Sequence, residues 1–158
     1  MIYDVFFVAL MIIAAVCAWR ICVADMRRRI IPDAYLFPIL LVGLICLAFY
    51  PTRFACTIGD AAIGAAFGYA LGAGVGFVFD WFLRRRDPNA QIPIGFGDIK
   101  LLAAGGLWLG PTGLAWALVA SCIGGLVWAR TRHVRYIPFA PFFIGGAILA
   151  LITNLFLL

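Results

Sequence analysis

Hydrophobic positions in this chain come in long runs, and the polar positions collect between them. A helix that crosses a bilayer needs about 20 mostly apolar residues at about 1.5 Å of rise each. A first run over residues 5–23, broken by Arg20 near its end, meets that length. A second covers 35–50 and is stopped by Pro51, and a third covers 58–83. The fourth, 99–109, is too short to cross alone, and Gly110-Pro111 ends it before a fifth over 114–129. The sixth, 137–158, has Pro138 and Pro141 at its entrance. The pattern predicts an all-α fold, a polytopic bundle of six transmembrane helices forming one domain over residues 1–158. The short fourth helix either tilts into the protein or starts part-way into the membrane, where irregular backbone persists only if buried or facing water. The first run does not read as a cleavable leader, because no basic segment precedes it and no small-x-small site follows. In the third run, Gly64-x-x-x-Gly68-x-x-x-Gly72 puts small residues on one face and predicts close packing against another helix.

Composition narrows the class. The chain is 66% hydrophobic and 12% charged, with mean hydropathy +1.10, against about 25% charged residues in an ordinary soluble domain. A soluble globule, a disordered chain, a collagenous repeat and a secreted disulfide scaffold are all excluded. Cys17, Cys22, Cys46, Cys56 and Cys122 are scattered through apolar sequence without Cys-x-x-Cys spacing. They read as small buried hydrophobes, with no zinc or other metal site expected. The net charge of +5 does not point to nucleic acid, because the arginines sit in clumps beside apolar runs. Arg27, Arg28 and Arg29 follow the first run, Arg84, Arg85, Arg86 and Lys100 flank the third connection, and Arg130, Arg132 and Arg135 lie in the fifth. The second connection has only Arg53. By the positive-inside rule the first, third and fifth connections are cytoplasmic and both termini lie outside.

An ionised carboxylate in the hydrocarbon core costs about 2.5 to 3.5 kcal/mol or more, so acids there are functional candidates. Asp25 directly follows the first run, and Asp98 lies in Gly95-Phe96-Gly97-Asp98-Ile99-Lys100 before the fourth. The charge sorting puts both at the cytoplasmic edge, as a carboxylate dyad requires. Hydrolysing an amide with water needs one carboxylate to take a proton and one carboxylic acid to polarise the carbonyl, and two close carboxyls share a single proton. Gly95 and Gly97 leave room for a substrate strand near Asp98. Spacing alone leaves a structural alternative open: Asp98 as a helix N-cap ahead of Ile99, and Asp25 as an ion-pair partner of Arg28 or Arg29.

The segment Gly95-Phe96-Gly97-Asp98-Ile99-Lys100-Leu101-Leu102-Ala103-Ala104 resembles the GxGD motif of the type IV prepilin peptidases, which are intramembrane aspartic proteases. Asp25 followed by Ile31-Pro32-Asp33 resembles that family's first aspartate and its Ile/Leu-Pro-Asp/Asn turn. Ile137-Pro138-Phe139-Ala140-Pro141-Phe142 is similar to its Pro-Phe-Gly-Pro-Phe segment, with Ala140 where Gly is usual. Three motifs in family order extend the resemblance over residues 24–146. Presenilin-like proteases share GxGD but pair it with Tyr-Asp, whereas Ala24 precedes Asp25 here.

The resemblance implies a peptidase that removes the basic leader of prepilin or pseudopilin precursors at the cytoplasmic face of a bacterial inner membrane. Asp25 and Asp98 would be the catalytic pair, with no metal or organic cofactor. Asp33, Gly95, Gly97, Lys100, Pro138 and Pro141 are the substrate-binding candidates. Many members carry an additional domain with paired Cys-x-x-Cys motifs associated with methyl transfer. This chain lacks those motifs, so it resembles the compact peptidase-only form, embedded in membrane lipid and without a nucleic-acid partner. The rival class is a non-enzymatic assembly subunit or small transporter with structural or cation-binding acids.

The remaining polar residues have simpler readings. Asp33 after Pro32 can start the second helix, Lys100 can anchor at the membrane edge, and Asp80 can pair with Arg84 one turn on. Asp60 has no evident partner, and His133 sits in a basic loop without neighbouring acids.

Overall fold

The computed structural model describes residues 2–54, 56–86, 94–133 and 137–157, with side chains for all of these except Ile2, Arg86 and 154–157. Arg135 lies outside the described residues. Within them the chain is all helix and turn: α1 (Ile2–Arg28), α2 (Asp33–Phe49), α3 (Ile58–Arg86), α4 (Phe96–Arg132) and α5 (Phe139–Leu157). Three of these, Tyr3–Arg28, Ile58–Arg85 and Phe96–Arg132, are long and apolar enough to cross a membrane.

The runs 99–109 and 114–129 meet inside one element, α4, which is broken at Gly110. Its backbone there (φ 67, ψ −179) belongs to a region that essentially only glycine enters, and Pro111 then restarts the helix, since a first-turn proline loses no hydrogen bond. The break reverses the chain. A Cβ on Gly105 would stand 3.7 Å from Leu114 Cδ1, whereas nine residues of unbroken helix would separate them by about 13 Å. The two halves of α4 therefore form a helical hairpin, and its first turn and its last turn lie at the same end of the bundle. Among the described residues the five helices thus hold six helical segments, in place of the six separate transmembrane helices expected, and three of the five are long and apolar enough to span.

Helix cohesion in an apolar solvent comes from close packing rather than from burial as such, because lipid tails are as apolar as leucine. The glycines of α3 supply that closeness. A Cβ on Gly64 would overlap the Gly106 carbonyl oxygen, one on Gly68 the Leu102 carbonyl oxygen, and one on Gly72 would come within 3.3 Å of Ile99 Cα. The predicted packing face is the antiparallel seam of α3 with the first half of α4. Gly146 of α5 meets the Ala117 carbonyl in the same way, seating α5 on the second half of α4. Trp108 ties α2 to α4 through a bond from its Nε1 to the Ile39 carbonyl, 3.2 Å.

Outside these seams the surface is apolar. Phe77, Leu126, Val5 and Ile58 are all more than 60% exposed, an arrangement that suits lipid and would aggregate in water.

The two ends of the bundle differ in charge. At one end Arg53 meets Asp4 at 2.6 Å and overlies Phe7, while the Tyr50 hydroxyl bonds the Tyr3 carbonyl. The Gly110 break lies at this end too, against Cys56 and Asp60. Asp60 is not without a partner: it accepts the Thr57 hydroxyl at 2.7 Å and the Thr57 amide, while the Thr57 hydroxyl accepts the Asp60 amide, which caps α3. The other end gathers Arg27, Arg28, Arg29, Lys100, Arg130 and Arg132, with Asp80 paired to Arg84 at 2.8 Å.

Candidate active site

Asp25 occupies the last turn of α1, where its carbonyl accepts the Arg29 amide and Arg29 (φ 53) turns the chain out of the helix. It is 5% exposed. Its Oδ2 accepts the Ala140 amide at 2.8 Å. This bond follows from the sequence of the α5 entrance. A helix start leaves its first amides without intrahelical partners, and proline has no N–H to offer. With Pro138 before α5 and Pro141 at its third position, the Phe139 and Ala140 amides are donors for an acid brought in from elsewhere. Such a helix start attracts negative charge.

Asp98 is the third residue of α4, not its cap: the helix starts at Phe96, with Gly95 at the capping position. Asp98 Oδ2 accepts the Gly95 amide at 3.2 Å, which is the returning half of a capping box. The side chain is half-buried.

The other candidates cluster around this pair. Lys100 Nζ contacts both carboxylate oxygens of Asp33, at 2.7 and 3.0 Å, where Asp33 opens α2. Gly97 faces Ile31 so closely that a Cβ would stand 2.9 Å from Ile31 Cβ. The Ile31-Pro32-Asp33 turn is thus laid against the Gly95-Phe96-Gly97-Asp98 segment. Pro138 is buried and Pro141 half-buried at the α5 entrance. Phe139 stacks on Phe143 with ring centroids 5.2 Å apart. Deeper in the bundle, an apolar cavity of about 210 Å³ is lined by Ala18, Ile39, Leu101, Gly105, Phe143 and Ala147, among others. His133 ends α4 with φ 52 and is exposed. Among the described residues no group of His, Cys, Asp and Glu has the arrangement of a metal site.

The sequence shows Ala140 only as one letter of the segment over 137–142, whereas the structure makes it the partner of Asp25. Its contribution is a backbone amide, and the flanking prolines are the signal that marks that amide as available.

The profile of the type IV leader peptidase family matches residues 6–130. The chain belongs to the type IV leader peptidase family. It is 36% identical over 152 residues to a prepilin leader peptidase/N-methyltransferase of Burkholderia pseudomallei, covering 84% of this chain and 45% of that protein. A prepilin leader peptidase/N-methyltransferase of Escherichia coli K12 is 30% identical over 135 residues, covering 82% and 56%. A type 4 prepilin-like proteins leader peptide-processing enzyme of enterotoxigenic Escherichia coli is 33% identical over 129 residues, covering 78% and 45%. The chain spans about half the length of these relatives. No solved structure matches it. The matched residues run from Phe6 in α1 to Arg130 in α4 and include Asp25, Asp33, Asp98 and Lys100, while the α5 entrance that binds Asp25 lies beyond them.

Proposed function

We propose that this leader peptidase chain is an intramembrane aspartic endopeptidase. It would cut the basic leader from prepilin-like precursors, with Asp25 and Asp98 as its catalytic pair. The observation that carries the reading is the arrival at one end of the bundle of two carboxyls from separate helices. One is bound by the Ala140 amide, and the other stands in the first turn of α4, which packs against the turn that follows the first one's helix. The printed names of the relatives support leader removal as the reaction.

One carboxylate of the pair takes a proton from a water, the hydroxide attacks the scissile carbonyl, and the other carboxyl delivers a proton to the leaving amine. The arginine-rich end, which holds both acids, is the cytoplasmic end on the positive-inside rule. A precursor with an apolar helix in the bilayer and a polar leader in the cytoplasm would present its junction at that depth.

The non-enzymatic reading has one observation in its favour: each acid already satisfies a helix start, Asp25 that of α5 and Asp98 that of α4. Asparagine separates the two. It keeps an acceptor oxygen for the same amides but cannot exchange the proton. Asp25→Asn or Asp98→Asn should insert and pack normally yet leave a precursor with a basic leader uncut in membranes. Parental cleavage by either inserted variant overturns the dyad.

A further inference from the structure

The two acids of the proposed dyad sit on helices that scarcely touch. Among the described residues α1 packs on α2 and α5, α4 packs on α3, α5 and α2, and direct contact between α1 and α4 is slight. The apolar cavity lies between them, with Ala14, Ala15 and Ala18 on one side and Leu101, Ala104 and Gly105 on the other. The separation of Asp25 and Asp98 is therefore set through intermediaries. One is the α5 entrance, which grips Asp25. The other is the turn between α1 and α2, and it reaches the first turn of α4 at two points.

Those points share one face of α4. Gly97 and Lys100 are three residues apart and so project to the same side. Gly97 abuts Ile31 at a distance that admits no side chain, and Lys100 closes on both oxygens of Asp33. The Lys100 ammonium also stands 6.0 Å from the Phe37 ring centre, one turn further along α2. The turn that receives these contacts is itself fixed by Pro32, whose carbonyl accepts the Tyr35 and Leu36 amides, and by the left-handed Arg29.

We propose that Asp33 and Lys100 are positioning residues: their ion pair is a strut that holds the first turn of α4 against the α1–α2 turn and thereby fixes the spacing of the Asp25 and Asp98 carboxyls. This rests on the dyad reading above. It gives both residues a role within the enzyme in place of contact with substrate. The side chains are 47% and 41% exposed, and exposed pairs contribute little to global stability. The strut therefore acts on geometry, and its loss should leave the melting temperature nearly unchanged.

The test compares Lys100→Met, Asp33→Asn and the exchanged double variant Asp33→Lys with Lys100→Asp. Cleavage of a precursor is followed across pH, alongside the distance between nitroxides attached through keto amino acids at Arg28 and Phe96. Each single variant should lower kcat about three- to fivefold, the most that loss of an exposed ion pair can shift the population holding the productive spacing, with KM unchanged. The pH profile should also narrow, because two carboxyls that move apart influence each other's titration less. The nitroxide distance distribution should broaden. The exchanged pair should recover both the distance and most of kcat.

A raised KM with unchanged kcat, pH profile and distance would make these residues substrate contacts and overturn the strut. So would an exchanged pair that folds but restores neither readout. Should Asp25→Asn still cleave, the dyad fails by that result alone, and the nitroxide distances still decide the strut.

Discussion

At the residue scale, the contact with most consequence is made by a backbone atom. Ala140 is fully buried and donates its amide to Asp25. Ala140→Gly keeps that amide and, in a first helical turn, costs no more than about 1 kcal/mol, so precursor cleavage should stay within about twofold of the parent. Ala140→Leu forces three more carbons into a filled site, costs about 1 to 3 kcal/mol, and shifts the amide from Asp25. Cleavage should fall about tenfold or more in the same membrane assay. A second residue behaves distinctively for a simpler reason. Burial, with the Asp60 charge adding to it, pushes the Cys56 thiol from 9.0 up to about 11. The thiolate is the nucleophile, so at pH 8 the folded protein should alkylate there about a hundredfold more slowly than the unfolded chain. Mass mapping after iodoacetamide should show the Cys56 rate rising until about pH 11 in the folded state and levelling near pH 9 in denaturant.

At the element scale, glycines on one helix have opposite roles. In α3 a Cβ at Gly64 runs into the Gly106 carbonyl, whereas one at Gly74 meets nothing within 4 Å. Alanine favours helix over glycine by about 1 kcal/mol. Gly74→Ala should therefore leave thermal stability in detergent equal or slightly raised. Gly64→Ala should lower it by about 1 to 3 kcal/mol, as α3 and α4 are forced apart. The repeated spacing made the face legible in the sequence. Its partner was not, because several helices carry closely spaced small residues, and only the packing shows that Leu102, Gly106 and Gly110 of α4 are the ones that meet it. At Gly110 the alternation of connections expected from the charges already turns the chain back; what the structure adds is the contact that closes the turn, Gly105 against Leu114.

At the scale of the whole molecule, the charge pattern and the packing agree on two dissimilar ends. Asp4, Arg53 and Asp60 lie at one end, while Asp25, Asp33, Asp98, Lys100 and the arginine clumps lie at the other. The Arg53 and Asp4 pair closes the first end, but it is exposed and such pairs contribute little, so the orientation expected from the positive-inside rule rests on the arginine clumps. Alkaline phosphatase fused after Thr52 should be active in intact cells, and the same reporter fused after His133 inactive. The reverse result would place the acids on the outer face and remove them from a cytoplasmic leader.

The sequence by itself determined where helices form, which end carries the positive charge, and which acids are worth suspecting. Those properties are local, written in run length, composition and short motifs. The tertiary structure decided what each acid touches: the Ala140 amide reaches Asp25 across 115 residues, and Lys100 reaches Asp33 across 67. Contacts at such separations depend on how helices cross and where a chain doubles back, and a run of apolar residues, which packs equally well against lipid or another helix, does not specify its neighbour.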